Sequence, residues 1–173
     1  MRCMAAYWRM DSFQNEIKDT EIPLDAPARR RLPILLRHAW YGLNQAFRRR
    51  IARMKLTPDQ FTVIRTLLES EPEGLTQKGL ADAISSDPNT IASLLERMES
   101  NGLIKRRPHE KDRRANRVEL LPSAKNKYEA IRQEAIELQG QVLDKLPESD
   151  REKFLSNLEI IADACRNISN DER

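Results

Sequence analysis

The segment from Lys105 to Arg117, KRRPHEKDRRANR, is too highly charged to lie in a protein core. Seven of its thirteen residues are Lys or Arg. These cations bind phosphate oxygens, and an arginine can also enter a narrow DNA minor groove, where the negative potential is enhanced. Apolar residues bracket the segment, GLI before it and VELL after it, which is not typical of a disordered basic tail. The segment therefore has two interpretations, a nucleic-acid contact or a solvated charged loop.

A second group of polar residues lies in the helix candidate that opens with SSDPNT. Apolar residues recur there at helical spacing and predict a buried stripe. The residues of that stripe are Ile91, Leu94, Leu95 and Met98. The polar residues off the stripe are Asn89, Thr90, Ser93 and Arg97. Because Asn and Arg can form paired hydrogen bonds with adenine and guanine edges, we expect base or phosphate contacts from this face. A plain solvent-exposed face is the alternative.

The charge distribution favours an anionic partner on one side of the protein. The net charge is only +3. However, the stretch from Arg29 to Leu56 has eight arginines, one lysine and no acid, and the stretch from Arg97 to Arg132 has eleven Lys or Arg against five Asp or Glu. Local basic faces on a nearly neutral chain indicate a polyanion that is met on one face.

Other classes of function find little support in the sequence. No nucleophile and base pairing, glycine-rich phosphate loop or pair of carboxylates stands out, so an enzyme is not predicted. The two cysteines, Cys3 and Cys165, and the two histidines, His38 and His109, lie far apart, so no metal site or other cofactor is predicted. No apolar run approaches about 18 residues, and the start of the chain does not resemble a signal peptide, so we expect no membrane partner and a cytoplasmic location.

Hydrophobic periodicity predicts the elements that must position these residues. Residues 1–28 are interpreted as an N-terminal arm, mobile or loosely docked, in which Cys3 is a conceivable redox switch. Residues 29–56 form the first helix of a dimerisation region. A capping box of Thr57 and Gln60 opens the second helix. A short third helix begins at Thr76, and the fourth begins after Ser86 or Asp87.

Two short strands follow, residues 103–107 and 116–121, with the basic loop between them. Gly102 is placed to end the fourth helix in a left-handed conformation. Residues 123–173 form two C-terminal dimerisation helices, of which the last begins with a second capping box, Ser149 and Glu152. Cys165 lies on the apolar face of this last helix and is expected to be in a core. The fold class is therefore mainly α with a small β-hairpin wing, and residues 57–122 form a winged helix-turn-helix DNA-binding domain.

The chain resembles the MarR family of bacterial transcriptional regulators over roughly residues 32–168. The motifs that carry this resemblance most specifically are LLERMESNGLIKR and the wing sequence DRRANRVEL. The family implies a triangular homodimer, built by the first, fifth and sixth helices, whose two winged domains meet a palindromic operator in double-stranded DNA. Leu121 and Ala124 stand where the family usually has Thr and Gly, and Ser93 stands where many members have Arg.

The resemblance also implies roles for individual residues. Asp112, Arg113 and Arg114 match the Asp-Arg-Arg of the family wing, which implies that an arginine enters the minor groove and that Asp112 holds the loop by ion pairing. We assign the groove contact to Arg114. The full set predicted to bind DNA is Thr76, Gln77, Asn89, Thr90, Ser93, Arg97, Lys111, Arg113 and Arg114.

A ligand site is a further expectation from the family, whose members often bind phenols or carboxylates among the first, second and fifth helices. The residues that would line it are His38, Trp40, Tyr41, Asn44 and Arg65. An aromatic wall with one cation suits such a ligand. Ordinary core and dimer packing is the alternative for these residues, and a membrane-surface first helix is another.

These observations predict a homodimeric, sequence-specific transcriptional repressor that a small aromatic or carboxylate ligand releases from DNA. The alternative is an architectural winged-helix protein that binds DNA constitutively and senses no ligand.

Overall fold

The computed structural model describes residues 26, 29–70, 74–109 and 116–171. The chain divides into two compact units, residues 1–41 and 42–173. The described part of the first unit is mainly the start of the first helix, whose large apolar side chains, such as Leu32, Leu35 and Trp40, are exposed. The second unit holds the remaining elements and the buried core.

The secondary structure within the described residues is mainly helical with a small antiparallel sheet, as the sequence predicts. The helices are α1 (Leu32–Ile51, followed by a 3-10 turn, Ala52–Met54), α2 (Pro58–Glu69), α3 (Gln77–Ala83), α4 (Pro88–Ser100), α5 (Pro122–Leu143) and α6 (Glu148–Asp171). The strands are β1 (Leu75–Thr76), β2 (Ile104–Pro108) and β3 (Asn116–Leu120).

The predicted capping box at α2 is confirmed. The backbone N–H of Gln60 donates to the Thr57 hydroxyl at 3.2 Å, and the Thr57 N–H donates to the Gln60 side-chain oxygen at 3.0 Å. The predicted end of α4 is also confirmed, because Gly102 has φ +64°. The Leu103 N–H then donates to the Met98 carbonyl at 2.9 Å, which satisfies a carbonyl of the last turn.

The second predicted capping box, Ser149 with Glu152, is wrong. Helix α6 begins at Glu148, so Ser149 lies inside the first turn, where its hydroxyl donates to the Asp150 carboxylate at 3.3 Å. The acids Glu148 and Asp150 stand in this turn. Their negative charge stabilises the positive end of the helix dipole and takes the place of a side-chain cap.

The sheet contains a strand that the sequence analysis missed. The order is β1-β3-β2, with Leu75 opposite Val118 and Ile104 opposite Leu120. Strand β1 has only two residues, which is too short for an alternating pattern to show. It fixes the start of α3 to the hairpin, so the helix-turn-helix and the wing share one framework.

The core of the second unit forms where the apolar stripes of the helices converge on the sheet. Ile64, Leu80, Leu95 and Ile131, from four different helices, are each fully buried. An aromatic row joins α1, α2 and α5. It comprises Phe47 against Phe61 and Phe61 against Tyr128, each pair with ring centroids 5.1 Å apart.

Helix α6 contributes nothing to this core. None of its described side chains is buried, although Phe154, Leu158, Ile160 and Ile168 are large and apolar. Cys165, predicted to lie in a core, is exposed in the single chain, because no described element covers its face of α6. Across the part of the chain that the structure describes, no helix is long and apolar enough to cross a membrane.

Candidate nucleic-acid interface

Helix α4 is held at its start by Asp87. The Asp87 carboxylate accepts from the backbone N–H groups of Asn89 at 2.8 Å and Thr90 at 2.9 Å, and Pro88 occupies the first helical position. This cap satisfies donors that the helix itself leaves unpaired. The side chains of Asn89 and Thr90 remain exposed, so the first turn of α4 presents them outward from a fixed backbone.

The two faces of α4 have the division that the sequence predicts. The stripe of Ile91, Leu94, Leu95 and Met98 is buried. The predicted contact residues Asn89, Thr90, Ser93 and Arg97 are exposed. A helix that is anchored along one face and polar along the other can enter a major groove without disturbing its own packing.

Arg97 is available for an anionic partner. Its Nε donates to the Ser93 carbonyl one turn earlier, at 3.2 Å. Among the described residues, its guanidinium makes no ion pair. The terminal nitrogens therefore keep their hydrogen-bonding capacity.

The structure gives Thr76, a predicted DNA contact, a clear local role. Its hydroxyl caps α3 by accepting from the Gly79 N–H at 3.0 Å, and its backbone pairs with β3 opposite Arg117. This cap explains the glycine at position 79, because a Cβ there would lie only 3.3 Å from the Thr76 hydroxyl oxygen. Gln77, the next predicted contact, is half-buried in the first turn of α3.

The tip of the wing lies outside the described residues, and with it lie the predicted contacts Lys111, Arg113 and Arg114 and the predicted loop-stabilising Asp112. The strands on either side are described. In register, Arg107 of β2 stands opposite Arg117 of β3.

The base of the wing shows ion pairs that the sequence analysis did not identify. The Glu119 carboxylate lies 3.1 Å from Lys105 Nζ and 3.2 Å from Arg107 Nε. The Glu99 carboxylate accepts from the backbone N–H and from Nε of Arg106, at 2.9 and 2.8 Å. The three cations that open the basic segment are thus largely paired within the protein. The sequence alone gives no signal for these pairs, because the opposition of Lys105 and Glu119 depends on the hairpin register.

The Glu99–Arg106 link joins the last turn of α4 to β2 and thereby fixes the base of the wing relative to α4. The hydrogen bonds from the Arg106 side chain and backbone lower the pKa of the Glu99 carboxyl below its ordinary value of 4.5. The ionised carboxylate therefore stabilises the fold above that ordinary pKa, and this contribution is lost as the pH falls through the lowered folded pKa.

Replacing Glu99 by Gln is expected to reduce stability near neutral pH and to have little effect in acid. Urea unfolding at about pH 7 and about pH 3 measures this difference. Glu96→Gln is the matched control, because Glu96 lies on the same helix and, among the described residues, makes no ion pair. A Glu99→Gln penalty that is equal at both pH values would show that the charge of Glu99 contributes nothing.

The predicted ligand residues belong to two different units of the chain. His38, Trp40 and Tyr41 are exposed on the first unit. Asn44 is half-buried on α1 in the second unit, and Arg65 is exposed on α2.

Two contacts in the second unit bear on this prediction. The Arg65 guanidinium donates to Glu69 at 2.8 Å, and this hydrogen bond raises the pKa of Arg65 above its ordinary value. The rings of Phe47, Phe61 and Tyr128 pack on one another where α1, α2 and α5 meet in this unit. The ligand site stays a prediction.

Comparisons with known proteins agree with this geometry. The family model described as MarR family matches residues 56–115. The HTH-type transcriptional regulator YwoH of Bacillus subtilis is 29% identical over an alignment of 125 residues, and the match covers 68% of this chain and 89% of YwoH.

Two solved structures share the fold. One is the MepR–DNA complex of S. aureus, with TM-score 0.72 and 23% identity over 79% of this chain and 99% of MepR. The other is CouR of Rhodococcus jostii RHA1 bound to p-coumaroyl-CoA, with TM-score 0.66 and 19% identity over 75% of this chain and 90% of CouR. The winged-helix segment of the chain thus matches the MarR family, and over 68% of its length the chain is similar to a transcriptional regulator.

Proposed function

We propose that this regulator is a homodimer that binds a pseudo-palindromic DNA operator and acts as a repressor. The observation that carries the proposal is the division of α4 into a fully anchored apolar face and an exposed polar face, beside a β-hairpin whose tip is basic in sequence. This arrangement suits a recognition helix in the major groove with a wing reaching the adjacent backbone or minor groove.

The dimer is supported by apolar surface that the single chain leaves uncovered. Helix α6 has 24 residues and buries none of its described side chains, although a helix in water normally gains its stability by burying an apolar face. The exposed large apolar residues of the helices assigned to the dimer are Leu32, Ile34, Leu35, Trp40, Tyr41, Leu43, Ile136, Val142, Phe154, Leu158, Ile160 and Ile168. A second copy of the chain would cover these faces.

Release by a small aromatic or carboxylate ligand is the finer part of the proposal. It is supported by the exposed aromatic pair Trp40 and Tyr41 and by CouR, which has a similar fold and was solved with p-coumaroyl-CoA bound. A ligand lowers operator affinity only if it binds the form that does not bind DNA more tightly. A coupling of about 1–3 kcal/mol would lower operator affinity by roughly 5–150-fold.

A constitutive DNA-binding protein without a ligand is the second candidate. Two observations favour this candidate: the aromatic rings of Phe47, Phe61 and Tyr128 pack on one another where α1, α2 and α5 meet, and Arg65 is paired with Glu69. Titration of DNA-bound protein with a panel of phenols, aromatic acids and their CoA thioesters decides between the two. If no compound of the panel changes the operator affinity, release by this class of ligand is excluded.

The interface itself is tested by separating the wing from the recognition helix. Arg114→Ala is expected to weaken binding to every duplex and to reduce the salt slope by about 1, whereas Asn89→Ala should relax the preference at particular base pairs. Arg166→Ala, which removes the same charge from α6, is the control. If Arg114→Ala binds DNA with wild-type affinity at moderate salt, the basic segment is a solvated loop and does not contact DNA.

A further inference from the structure

We propose that the C-terminal end of α1 supplies an additional contact to the DNA backbone, made by Arg48 together with Arg97 across one cleft. This inference rests on the proposed DNA-binding function. It extends the interface to a residue outside the winged-helix segment 57–122.

The cleft lies where the end of α1 and the start of α2 face the second half of α4, and it encloses about 680 Å³. Arg48 and Ala52 line it from the α1 side, and Arg97 and Asn101 line it from the α4 side. Arg97 belongs to the exposed polar face of α4. Because Arg97 lies on this face and also lines the cleft, a duplex that receives the face in its major groove would have flanking phosphates near the cleft.

Arg48 is available for a phosphate in a way that its neighbour Arg50 is not. The Arg50 guanidinium is anchored to α5, by a hydrogen bond to the Gln141 side chain and by an ion pair with Glu134 at 3.8 Å. Arg48 is exposed and, in the described parts of the chain, forms no ion pair. Two guanidinium groups from two different helices, neither paired with a carboxylate of the described residues, therefore share one cleft.

The other residues of the cleft favour a DNA phosphate over a small free anion. Asp59 and Glu96 also line the cleft, and their negative charge opposes an anion that would have to be captured from solution. A phosphate of a bound duplex is already held nearby by the recognition helix. Its effective concentration is high, so two cations suffice to hold it, and arginine donates paired hydrogen bonds to phosphate oxygens.

Arg48→Ala is expected to weaken binding to the selected operator by roughly three- to tenfold and to reduce the slope of log affinity against log salt by about 1, the loss of one phosphate contact. The ranking of operator variants should not change, because a phosphate contact carries no base information. The measurement is a fluorescence-anisotropy titration above about 0.1 M salt, where charges more than about 10 Å from the DNA are screened.

Arg49→Ala is the matched control, because Arg49 is exposed on the same helix with the same charge but does not line the cleft. It should keep the wild-type slope, and Arg48→Lys should recover most of the lost affinity. Equal slopes for wild type and Arg48→Ala, or equal losses for Arg48→Ala and Arg49→Ala, would overturn the contact while leaving the DNA-binding function intact. If the wild-type protein itself shows no salt-dependent binding to duplex DNA, both the Arg48 contact and the proposed DNA-binding function are wrong.

Discussion

Replacing Leu158 by Glu is expected to convert the protein to a monomer at micromolar concentration and to weaken operator binding by about 100-fold. Leu158 lies in the apolar stripe of α6 and is 38% exposed in the single chain. In the proposed dimer it would be covered, so the substitution places an unpaired carboxylate from each copy in an apolar interface. A monomer also loses the advantage of two linked half-sites, which amounts to about 10²–10⁴ in affinity.

Analytical ultracentrifugation and operator titration measure the two effects of this substitution. Ser156→Glu is the matched control, because Ser156 is exposed on the same helix and lies off the apolar stripe. It should leave the dimer intact. If the Leu158→Glu protein remains a dimer, the dimer interface does not include this face of α6.

Replacing Leu95 by Ala is expected to lower the free energy of unfolding by about 2–5 kcal/mol. Leu95 is 0% exposed and lies on the inner face of α4, so the truncation removes its apolar contacts and leaves a cavity beneath the recognition helix. Since a dimer unfolds with a concentration-dependent midpoint, variant and wild type are compared by urea unfolding at one protein concentration. A loss below about 1 kcal/mol would contradict the packing of α4 described above.

Ser93→Ala separates stability from recognition on the same helix. Ser93 is exposed, so its truncation should change the unfolding free energy by no more than about 0.5 kcal/mol. Any change in operator preference then reports a contact made by this side chain. Leu95→Ala and Ser93→Ala thus probe the inner and outer faces of α4 independently.

The elements that the sequence predicted well are those with a local signal. The Thr57 capping box, Asp87 before Pro88 and Gly102 after α4 each depend on residues within one helical turn, and the structure shows each of them. Long apolar stripes likewise identified the helices. At the start of α6 the local pattern of Ser149 and Glu152 led to a wrong prediction of a capping box. The helix begins directly after a proline, with acids in its first turn and without a hydroxyl cap.

The features that the sequence did not predict depend on contacts between distant segments. Strand β1 exists because two residues pair with β3, more than 40 positions along the chain. The pairing of Glu99 with Arg106 and of Glu119 with Lys105 becomes apparent only once the hairpin register is known. The exposure of Cys165 follows from α6 having no described partner element, which periodicity alone cannot show.

Among the predicted site residues, those on α4 follow directly from helical spacing, and their exposure is confirmed. Thr76 shows the limit of that reasoning, because the same hydroxyl that suits a phosphate contact serves as the cap of α3. The cleft that holds Arg48 and Arg97 involves three segments of the chain, and no pattern within one segment indicates it.

The most direct test of the central claim, that a dimer of this protein recognises DNA through α4 and the wing, is selection of bound duplexes from random DNA. The selected sequences are expected to form an inverted repeat whose half-site centres lie about 10 bp apart, one turn of the double helix. Base preferences within each half-site should change in Asn89→Ala and stay unchanged in Arg49→Ala. Selection that enriches no sequence, or that enriches a single half-site without its inverted copy, would contradict the recognition of DNA by a dimer.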